Sequence, residues 1–345
     1  MSRRDSDSTE DALPRDYPPP FLDDPTIAEE ISAEGVSCCV CGHSDGTPIA
    51  RAWDYEYRTS RQSWTYKRCP GCALVYLDPR PSESELRSIY PPHYYSFDEA
   101  RRTNPFVEYF RGKLEASKTR LFERHVGTGP RRILDVGCGD GRFMESLIAH
   151  GDPAWQVSGI DIDEGAIARA RSKGLDARLS RLEDLEADAG SYHMVVLFQV
   201  LEHVADPRAM VAKVRELLRP GGVFVIETPD VAGWDERWFR SGLWGGYHVP
   251  RHWNLFTPDN LERLLVEEGF QVQAKRPLIS TSFWINSLYN RALVAGAGPR
   301  TLAFLDYQNP LLLALFIMLD TARMAFGART SNQRVIARRA EIATS

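Results

Sequence analysis

The chain has 345 residues, enough for one large domain or two, with a net charge of −5 and a charged fraction of 26%. This balance excludes a strongly basic nucleic-acid binder and gives no overall attraction to anionic membranes. Residues 1–35 are polar and rich in proline, and they contain no apolar run of the kind found in a secretory signal. They predict a disordered tail, because such a composition buries too little apolar surface to fold.

The segment 36–80 contains two C-x-x-C pairs, Cys38/Cys41 and Cys69/Cys72, with 27 residues between them. Two such pairs can turn four thiolates toward one Zn²⁺ and leave the ion no open position, so they predict a structural, zinc-ribbon-like module. Disulfide bonds are the alternative, and the lack of a secretory signal disfavours them. Together these features predict a cytoplasmic protein.

A connector with a long helix is predicted over 81–130, and strand-like and helix-like segments alternate over 131–278. Such alternation predicts an α/β fold, in which helices cover both faces of a mostly parallel sheet. Residues 279–330 are largely apolar and predict a helical insertion. A final strand and a C-terminal tail are predicted over 331–345.

The stretch ILDVGCGDGRFM (133–144) has the pattern of a buried strand, a glycine turn and the start of a helix. Asp135 precedes the turn and can orient an ammonium group, while Asp161, at the end of the next strand, can accept hydrogen bonds from ribose hydroxyls. The spacing is G-x-G-x-G, whereas nicotinamide dinucleotide sites prefer G-x-G-x-x-G. The pattern therefore favours a nucleoside cofactor with a sulfonium and an amino-acid tail. The glycines of the turn are Gly137, Gly139 and Gly141.

Five ordered blocks resemble the motifs of class I S-adenosylmethionine-dependent methyltransferases. They are ILDVGCGDGRF (133–143), GIDID (159–163), LEDL (182–185), FQVLEHVADP (198–207) and LLRPGGVFVIETP (217–229). The resemblance implies a Rossmann-like sheet of seven strands, with strands six and seven as antiparallel neighbours. It also implies the cofactor contacts: Ile162 under the adenine, Glu183 or Asp184 at its amino group and Gln199 near the methionine part. The full set of predicted cofactor residues is Asp135, Gly137, Cys138, Gly139, Gly141, Asp161, Ile162, Glu183, Asp184 and Gln199.

A four-cysteine module ahead of such a core also resembles a subset of bacterial methyltransferases, some of which act on sugar nucleotides or natural-product intermediates. The block QVLEHV resembles ubiquinone-type O-methyltransferases, where acids and a histidine of this segment hold a divalent cation. Here Gln199 replaces one acid, so the sequence leaves that cation open. A hydroxyl or carbon acid also needs a base, and histidine suits neutral pH. We expect His203, next to Glu202, to act as base or orienter, and His248 or His252 to contact the substrate.

The sequence therefore predicts a methyltransferase acting on an oxygen or carbon atom of a small molecule, such as a sugar nucleotide, a glycan or a natural-product intermediate. One alternative is a zinc-module binder of nucleic acid or protein, which the net acidity disfavours. Another is a nicotinamide-dependent oxidoreductase, which the glycine spacing disfavours. The longest apolar run, 311–319, is too short to span a bilayer and predicts a buried helix. Peripheral membrane contact through 302–326 and pairing of two subunits are alternatives.

Overall fold

The structure, a computed structural model, describes residues 16–91 and 105–341, with the side chains of 105–111 left aside. The elements before the central sheet are β1 (Ala33–Glu34), β2 (Thr47–Ala52), β3 (Trp64–Arg68), β4 (Val75–Leu77), β5 (Arg80–Pro81), α1 (Leu86–Ile89) and α2 (Pro105–Val126). The next are β6 (Arg131–Val136), α3 (Arg142–His150), β7 (Trp155–Asp161), α4 (Glu164–Ser172), β8 (Asp176–Leu179), β9 (Tyr192–Phe198), α5 (Pro207–Leu217) and β10 (Leu218–Pro229). The last are α6 (Trp234–Phe239), β11 (Asn254–Leu255), α7 (Pro258–Glu267), β12 (Phe270–Leu278), α8 (Thr281–Val294), α9 (Pro299–Phe304), α10 (Pro310–Ala325) and β13 (Asn332–Arg339).

The central sheet has seven strands in the order β12-β13-β10-β9-β6-β7-β8. The five strands from β10 to β8 pair in parallel, whereas β13 is antiparallel to both β10 and β12. This confirms the predicted fold class, including the antiparallel pair formed by the last two strands in chain order. The strand order reverses between β6 and β9, and ligands of open α/β sheets bind beyond the carboxyl ends of the strands at that point.

Both faces of the sheet are buried, because alternate residues of each strand point to opposite faces. On one face, Leu134 of β6 and Leu197 of β9 pack in a cluster with Val214 of α5 and Leu264 of α7. On the other face, the neighbouring strand residues pack with α2 and α3 in a second cluster, which includes Ile133, Val196, Phe122 and Leu147. The predicted layering of helices over a buried parallel sheet follows from this continuous apolar run along each strand.

The cysteine-bearing segment forms a small sheet of its own, with the order β11-β4-β3-β2. The edge strand β11 comes from the region after β10, and Asn254 and Leu255 pair with Tyr76 and Val75 of β4. The N-terminal module is therefore completed by a strand that lies almost 180 residues further along the chain. The sequence pattern did not predict this strand, because two residues carry no periodicity that a pattern can detect.

The predicted disordered tail, 1–35, is too long. The residues from 16 onward pack against the protein: Phe21 is buried and contacts the cluster that contains Trp53 and Trp64, and β1 pairs with β5. Phe21 and its apolar neighbours are buried against the module. The composition of the segment alone does not predict such a contact. Residues 1–15 lie outside the described part of the chain.

The insertion between β12 and β13 forms α8, α9 and α10, as the apolar composition predicted. Its buried centre is Asp320, whose carboxylate accepts hydrogen bonds from the Ser280 N–H at 2.8 Å and from Trp284 Nε1 at 3.2 Å. One face of α10 remains exposed. No helix within the described ranges combines the length and the hydropathy needed to cross a membrane.

Candidate active site

The glycine turn follows β6 at the point where the strand order reverses. Gly137, Gly139 and Gly141 all have positive φ values, of 74°, 55° and 83°, which favours residues without Cβ. A Cβ at Gly137 would collide with Val200, and one at Gly141 would collide with Leu175. A Cβ at Gly139 would meet nothing within 4 Å. Two glycines therefore allow close packing, and Gly139 borders open space where a ligand can approach backbone.

Two acids flank this turn. Asp161 accepts a hydrogen bond from the Gly139 N–H at 2.8 Å and another from the Asp163 N–H at 2.9 Å. Burial raises the pKa of Asp161. Asp135 is almost completely buried, and burial raises its pKa to about 7, against the opposing charge of Lys118. A buried acid of this kind gains its charge when a cation such as an ammonium group binds beside it.

The other predicted cofactor residues lie around the same edge of the sheet. Ile162, directly after Asp161, is exposed with 65% of its surface accessible, so it offers an apolar platform. Glu183 and Asp184 are exposed in the loop after β8. Cys138 is buried, and burial raises the pKa of its thiol, as befits an inert packing residue. These positions agree with a nucleoside that lies across the ends of β6 and β7.

Gln199 follows β9 with a left-handed backbone, φ 54°. Its N–H donates to the Glu227 carbonyl at 2.8 Å, and its side-chain amide donates to Asn332 Oδ1 at 3.2 Å. Gln199 therefore connects the ends of β9, β10 and β13. Its amide is engaged with Asn332 at this edge, and it supplies no acid to the block that includes Glu202.

A cavity of ≈ 300 Å³ opens beside these strand ends. Its walls come from segments that are far apart in the sequence: the N-terminal module, the loop after β9, the loop before β11, and the helical insertion. Residues of these walls are Glu56, Gln199, His203, Glu227, His248, His252, Ser280, Phe283, Tyr307 and Asn332. The cavity is the natural place for an acceptor, because Gln199 and Asn332 border both the cavity and the strand edge.

The three histidines predicted for the chemistry come together at this cavity. The ring centroids of His203 and His252 are 4.6 Å apart, and those of His248 and His252 are 5.0 Å apart. His203 Nδ1 donates to the Arg251 carbonyl at 3.0 Å and also lies 2.9 Å from the Tyr90 hydroxyl. Burial lowers the pKa of His203 to about 3. The neutral ring, protonated at Nδ1, keeps the lone pair of Nε2.

His252 and Glu202 lie deeper, under the cavity wall. His252 Nδ1 donates to the Gly246 carbonyl at 2.8 Å, and burial lowers its pKa well below the usual value. Glu202 is fully buried and accepts from Thr228 Oγ1 at 3.0 Å. Its other oxygen is 4.0 Å from His252 Nε2 and has no hydrogen-bond partner within the described residues.

Burial raises the pKa of Glu202 to about 8, so this acid is mostly neutral at pH 7. The donor atoms of Glu202, His203 and His252 lie within 4.8 Å of one another. Burial therefore keeps both histidines and most of the Glu202 population uncharged at neutral pH. The cluster offers one carboxylate and two imidazoles, and Gln199, whose amide donates to Asn332, adds no second acid.

Several cavity residues were missed in the sequence, among them Glu56, Glu227 and Asn332. Glu56, in the loop between β2 and β3, places Oε2 2.8 Å from His248 Nδ1. No periodicity marks this position, since it lies in an irregular loop. The sequence leaves two roles open for Tyr94 and Tyr95, closure over the cofactor or packing between the module and the core, and both residues lie outside the described ranges.

The four paired cysteines form a separate, compact group. The Sγ–Sγ distances are 3.3 Å for Cys38 and Cys72, 3.2 Å for Cys41 and Cys69, and 3.7 Å for Cys38 and Cys41. All four are free thiols. The turns Cys38–Gly42 and Cys69–Ala73 each close with a backbone hydrogen bond, of 2.8 Å and 2.9 Å. Cys39 is not part of the group, because its thiol donates to Asn254 of β11.

The parallel sheet, its glycine turn and its paired acids define a nucleoside-binding α/β protein. Residues 106–275 match the family model of a methyltransferase domain. The ubiquinone biosynthesis O-methyltransferase of Cereibacter sphaeroides is 34% identical over 181 residues, which cover 47% of this chain and 69% of that protein. A probable S-adenosylmethionine-dependent methyltransferase of Mycolicibacterium smegmatis is 40% identical over 159 residues, which cover 45% of this chain and 56% of that protein.

The chain belongs to the S-adenosylmethionine-dependent methyltransferases. It spans about half the length of other curated relatives, such as 47% of the ubiquinone biosynthesis O-methyltransferase of Aromatoleum aromaticum, with 36% identity over 31% of this chain. A solved S-adenosylmethionine-dependent methyltransferase from Mesorhizobium loti is 22% identical, with a TM-score of 0.43, covering 65% of this chain and 96% of that one. The family model and the relative from Cereibacter sphaeroides confirm the predicted family.

Proposed function

We propose that the protein transfers a methyl group from S-adenosylmethionine to a small-molecule acceptor bound in the cavity at the sheet edge. The observation that supports this most is the position of the cavity. Gln199 and Asn332 border the strand ends on one side of it, and His203 and His248 line the other side. Cofactor and acceptor would then meet at the edge where open α/β sheets bind their ligands.

The residues of the turn suit this cofactor. Asp135 is a buried acid whose carboxyl group is neutral at low pH. Once this group loses its proton, it would hold the ammonium group of the cofactor. Gly139 leaves open space beside its backbone, and Asp161 holds that backbone through the Gly139 N–H. We propose that Asp161 also accepts hydrogen bonds from the ribose, and that Ile162 lies under the adenine. Glu183 or Asp184 would meet the adenine amino group.

Bound S-adenosylmethionine supplies an electrophilic methyl group on a sulfonium. The chain supplies position: the acceptor would lie in the cavity at the strand ends, and correct placement alone contributes much of the rate. His203 is neutral and keeps the lone pair of Nε2, so it can accept a hydrogen bond from an acceptor hydroxyl and orient it. His252 and the neutral acid Glu202 lie next to His203.

We favour oxygen as the acceptor atom. The relatives from Cereibacter sphaeroides and Aromatoleum aromaticum are both named for O-methylation in ubiquinone biosynthesis. A histidine-lined cavity also suits a hydroxyl group that must lose its proton. Sugar nucleotides, glycans and natural-product intermediates all offer such hydroxyls, and carbon acids would need the same base. The family membership favours methyl transfer over the nicotinamide-dependent and nucleic-acid-binding alternatives.

Calorimetric titration with S-adenosylmethionine, S-adenosylhomocysteine and NAD tests the cofactor. We expect micromolar binding of the first two and none of NAD. Asp161→Ala should weaken binding at least tenfold. Asp176→Ala is the matched control, because Asp176 is exposed and contacts only Arg178. Methyl-labelled cofactor incubated with a small-molecule extract would then reveal the acceptor by mass spectrometry. Tight binding of NAD and none of S-adenosylhomocysteine would refute the proposal.

We propose that the four-cysteine group holds one structural Zn²⁺. The four thiols surround a common centre, and a set of four sulfurs leaves the ion closed to substrates. Elemental analysis should find one zinc per chain, and Cys38→Ser should lower this value. Cys39→Ser should leave it unchanged, since Cys39 faces Asn254. The predicted cytoplasmic location stays a prediction that rests on these reduced thiols.

We propose a peripheral membrane contact for residues 302–326. On α10, the side chains of Leu311, Leu315 and Met318 share one exposed face, and Phe326 beyond its end is 90% exposed. A Leu315→Glu/Met318→Glu variant should lose binding to vesicles of phosphatidylcholine with one-quarter phosphatidylglycerol. Dimerisation in light scattering that the same variant abolishes would instead favour pairing of two subunits.

A further inference from the structure

The N-terminal module extends an acid into the cavity of the methyltransferase core. Glu56 lies between β2 and β3, and its carboxylate is 2.8 Å from His248 Nδ1, across a separation of 192 residues in the chain. Both residues line the cavity. The side chain of His248 is 8% accessible and that of Glu56 is 29% accessible, so the pair is largely shielded from solvent.

A fully buried ion pair holds the two loops together. Asp54 and Arg251 form two hydrogen bonds, 3.2 Å for Nη1–Oδ1 and 2.9 Å for Nη2–Oδ2, and both side chains are fully buried. Asp54 is two residues before Glu56, and Arg251 is three residues after His248. A bidentate contact of this kind fixes orientation as well as distance. The position of Glu56 beside His248 is therefore set by the fold.

A tyrosine of the module holds the same loop from the other side. The hydroxyl of Tyr66, in β3, lies 2.6 Å from the Tyr247 carbonyl and 2.8 Å from the His252 carbonyl. These two residues flank His248, whose own backbone adopts a left-handed conformation at φ 38°. A non-glycine residue in this region is strained by about 1–3 kcal/mol, and such strain concentrates at functional sites. The surroundings thus hold the His248 side chain in one place.

The three histidines of the cavity differ in their Nδ1 partners. His203 and His252 donate from Nδ1 to backbone carbonyls, which carry no net charge. His248 donates from Nδ1 to the carboxylate of Glu56. Among the described histidines of the cavity, only His248 has a carboxylate within hydrogen-bonding distance. An anion at this position stabilises the positive charge that the ring acquires when it takes a proton.

The groups that face His248 come from several elements. Tyr57 and Glu56 belong to the module, His203 to the loop after β9, Arg251 and His252 to the loop before β11, and Glu227 to β10. Asp54 balances the charge of Arg251, and His203 and His252 are neutral because burial lowers the pKa of each. Glu56 is accordingly the nearest uncompensated charge to His248.

We propose that Glu56 and His248 form the acid–base pair of the methyl-transfer reaction, with His248 as the base and Glu56 as its positioning residue. This inference rests on the proposed function. His248 Nε2 takes the proton of the acceptor hydroxyl while the oxygen bonds to the methyl carbon, and the carbon–sulfur bond breaks with its electron pair moving to the sulfonium sulfur. Glu56 stabilises the imidazolium, which returns the proton to solvent after product release.

The test uses the full, zinc-loaded chain saturated with S-adenosylhomocysteine. It compares the wild type with Glu56→Gln, Glu56→Asp and Glu34→Gln, and His248→Asn assigns the NMR signal. Glu34→Gln is the matched control, because it removes an acid of the same module that pairs with Arg80 at the surface. The downfield proton signal of His248 Nδ1–H, which marks its hydrogen bond to the carboxylate, should move upfield in Glu56→Gln. It should be unchanged in Glu34→Gln.

The conservative variant separates charge from shape. Glu56→Asp keeps the carboxylate and should keep part of the downfield signal. With the acceptor found by methyl labelling, Glu56→Gln should lower kcat at pH 7 about 10- to 100-fold, with little change in the KM for S-adenosylmethionine. An unchanged His248 signal in Glu56→Gln, or an unchanged kcat despite an altered signal, would overturn the inference. A wild type that shows the downfield signal but binds no S-adenosylhomocysteine would overturn the proposed function while leaving the Glu56–His248 contact intact.

Discussion

The two sides of the cavity are built in different ways. The cofactor side comes from one continuous β-α-β unit, in which Asp135, the glycine turn and Asp161 lie within thirty residues. The acceptor side combines Glu56, His203, His248 and the helical insertion, which are up to about 250 residues apart. The first depends on local backbone geometry, and the second depends on long-range packing between the module and the core. Damage to the module should therefore affect the acceptor side more than the cofactor side, although Cys69 and Tyr76 of the module pack in the same cluster as Leu134 of β6.

Removal of zinc should have the largest effect. The module sheet carries Tyr66 and Glu56 and pairs with β11, so we expect that loss of the metal detaches the loop around His248. Methyl transfer should fall below detection after chelation or in Cys69→Ser/Cys72→Ser, because a structural zinc contributes folding free energy directly. Binding of S-adenosylhomocysteine, measured by calorimetry, should change by less than about threefold. Loss of both functions together would show that the two sides are not separable.

Breaking the buried ion pair should come next. Arg251→Met leaves Asp54 buried without its partner and should cost about 3–5 kcal/mol in urea unfolding. Lys275→Met, which removes a surface pair with Glu262, should cost less than about 1 kcal/mol. Arg251 holds the pKa of Asp54 below its usual value. The stabilisation from the Asp54–Arg251 pair is therefore fully present above the pKa of Asp54 in the unfolded chain, about 3.8. It is lost as the pH falls through the lower pKa that Asp54 has in the folded protein.

A loss in Arg251→Met that matches the Lys275→Met loss would contradict the assignment of Asp54 and Arg251 as the link between module and core. Calorimetry with S-adenosylhomocysteine is the second readout for this variant. Its affinity should be close to that of the wild type wherever the variant is folded, because the cofactor side has its own hydrophobic clusters.

Two glycine substitutions should separate packing from binding within the cofactor side. Gly141→Ala places a Cβ against Leu175 at φ 83° and should cost about 2 kcal/mol of stability. Gly139→Ala meets open space and should cost about 1 kcal/mol, yet it should weaken S-adenosylhomocysteine binding more than Gly141→Ala does. Urea unfolding and calorimetry give the two rankings. If Gly141→Ala lowers both the stability and the S-adenosylhomocysteine affinity more than Gly139→Ala does, Gly139 only shapes the turn.

The smallest expected effect is the pH dependence of cofactor affinity. Because burial raises the pKa of Asp135 to about 7, the acid must lose a proton before it can hold an ammonium group. The Kd for S-adenosylhomocysteine should therefore rise about threefold between pH 7.5 and pH 6.5. Asp135→Asn should bind more weakly, with a flat pH profile. A wild-type Kd that is constant from pH 5.5 to 7.5 would argue against an ionised Asp135 in the complex.

The sequence by itself determined the family, the seven-stranded sheet and the group of four cysteines. The alternation of strands and helices, the glycine turn and the four cysteines follow from local rules of periodicity, positive φ and spacing. The family and the seven-stranded order came from the resemblance of five ordered blocks to known methyltransferase motifs. The sequence also named His203, His248 and His252, because histidine is the common base near neutral pH.

Only the tertiary structure decided how those residues meet. It brought His252 beside Glu202, extended the ordered chain back to residue 16, and completed the module with β11. It also placed Glu56 against His248. These contacts join segments separated by tens to hundreds of residues, and no local pattern records a contact whose strength comes from burial and from a partner elsewhere in the chain.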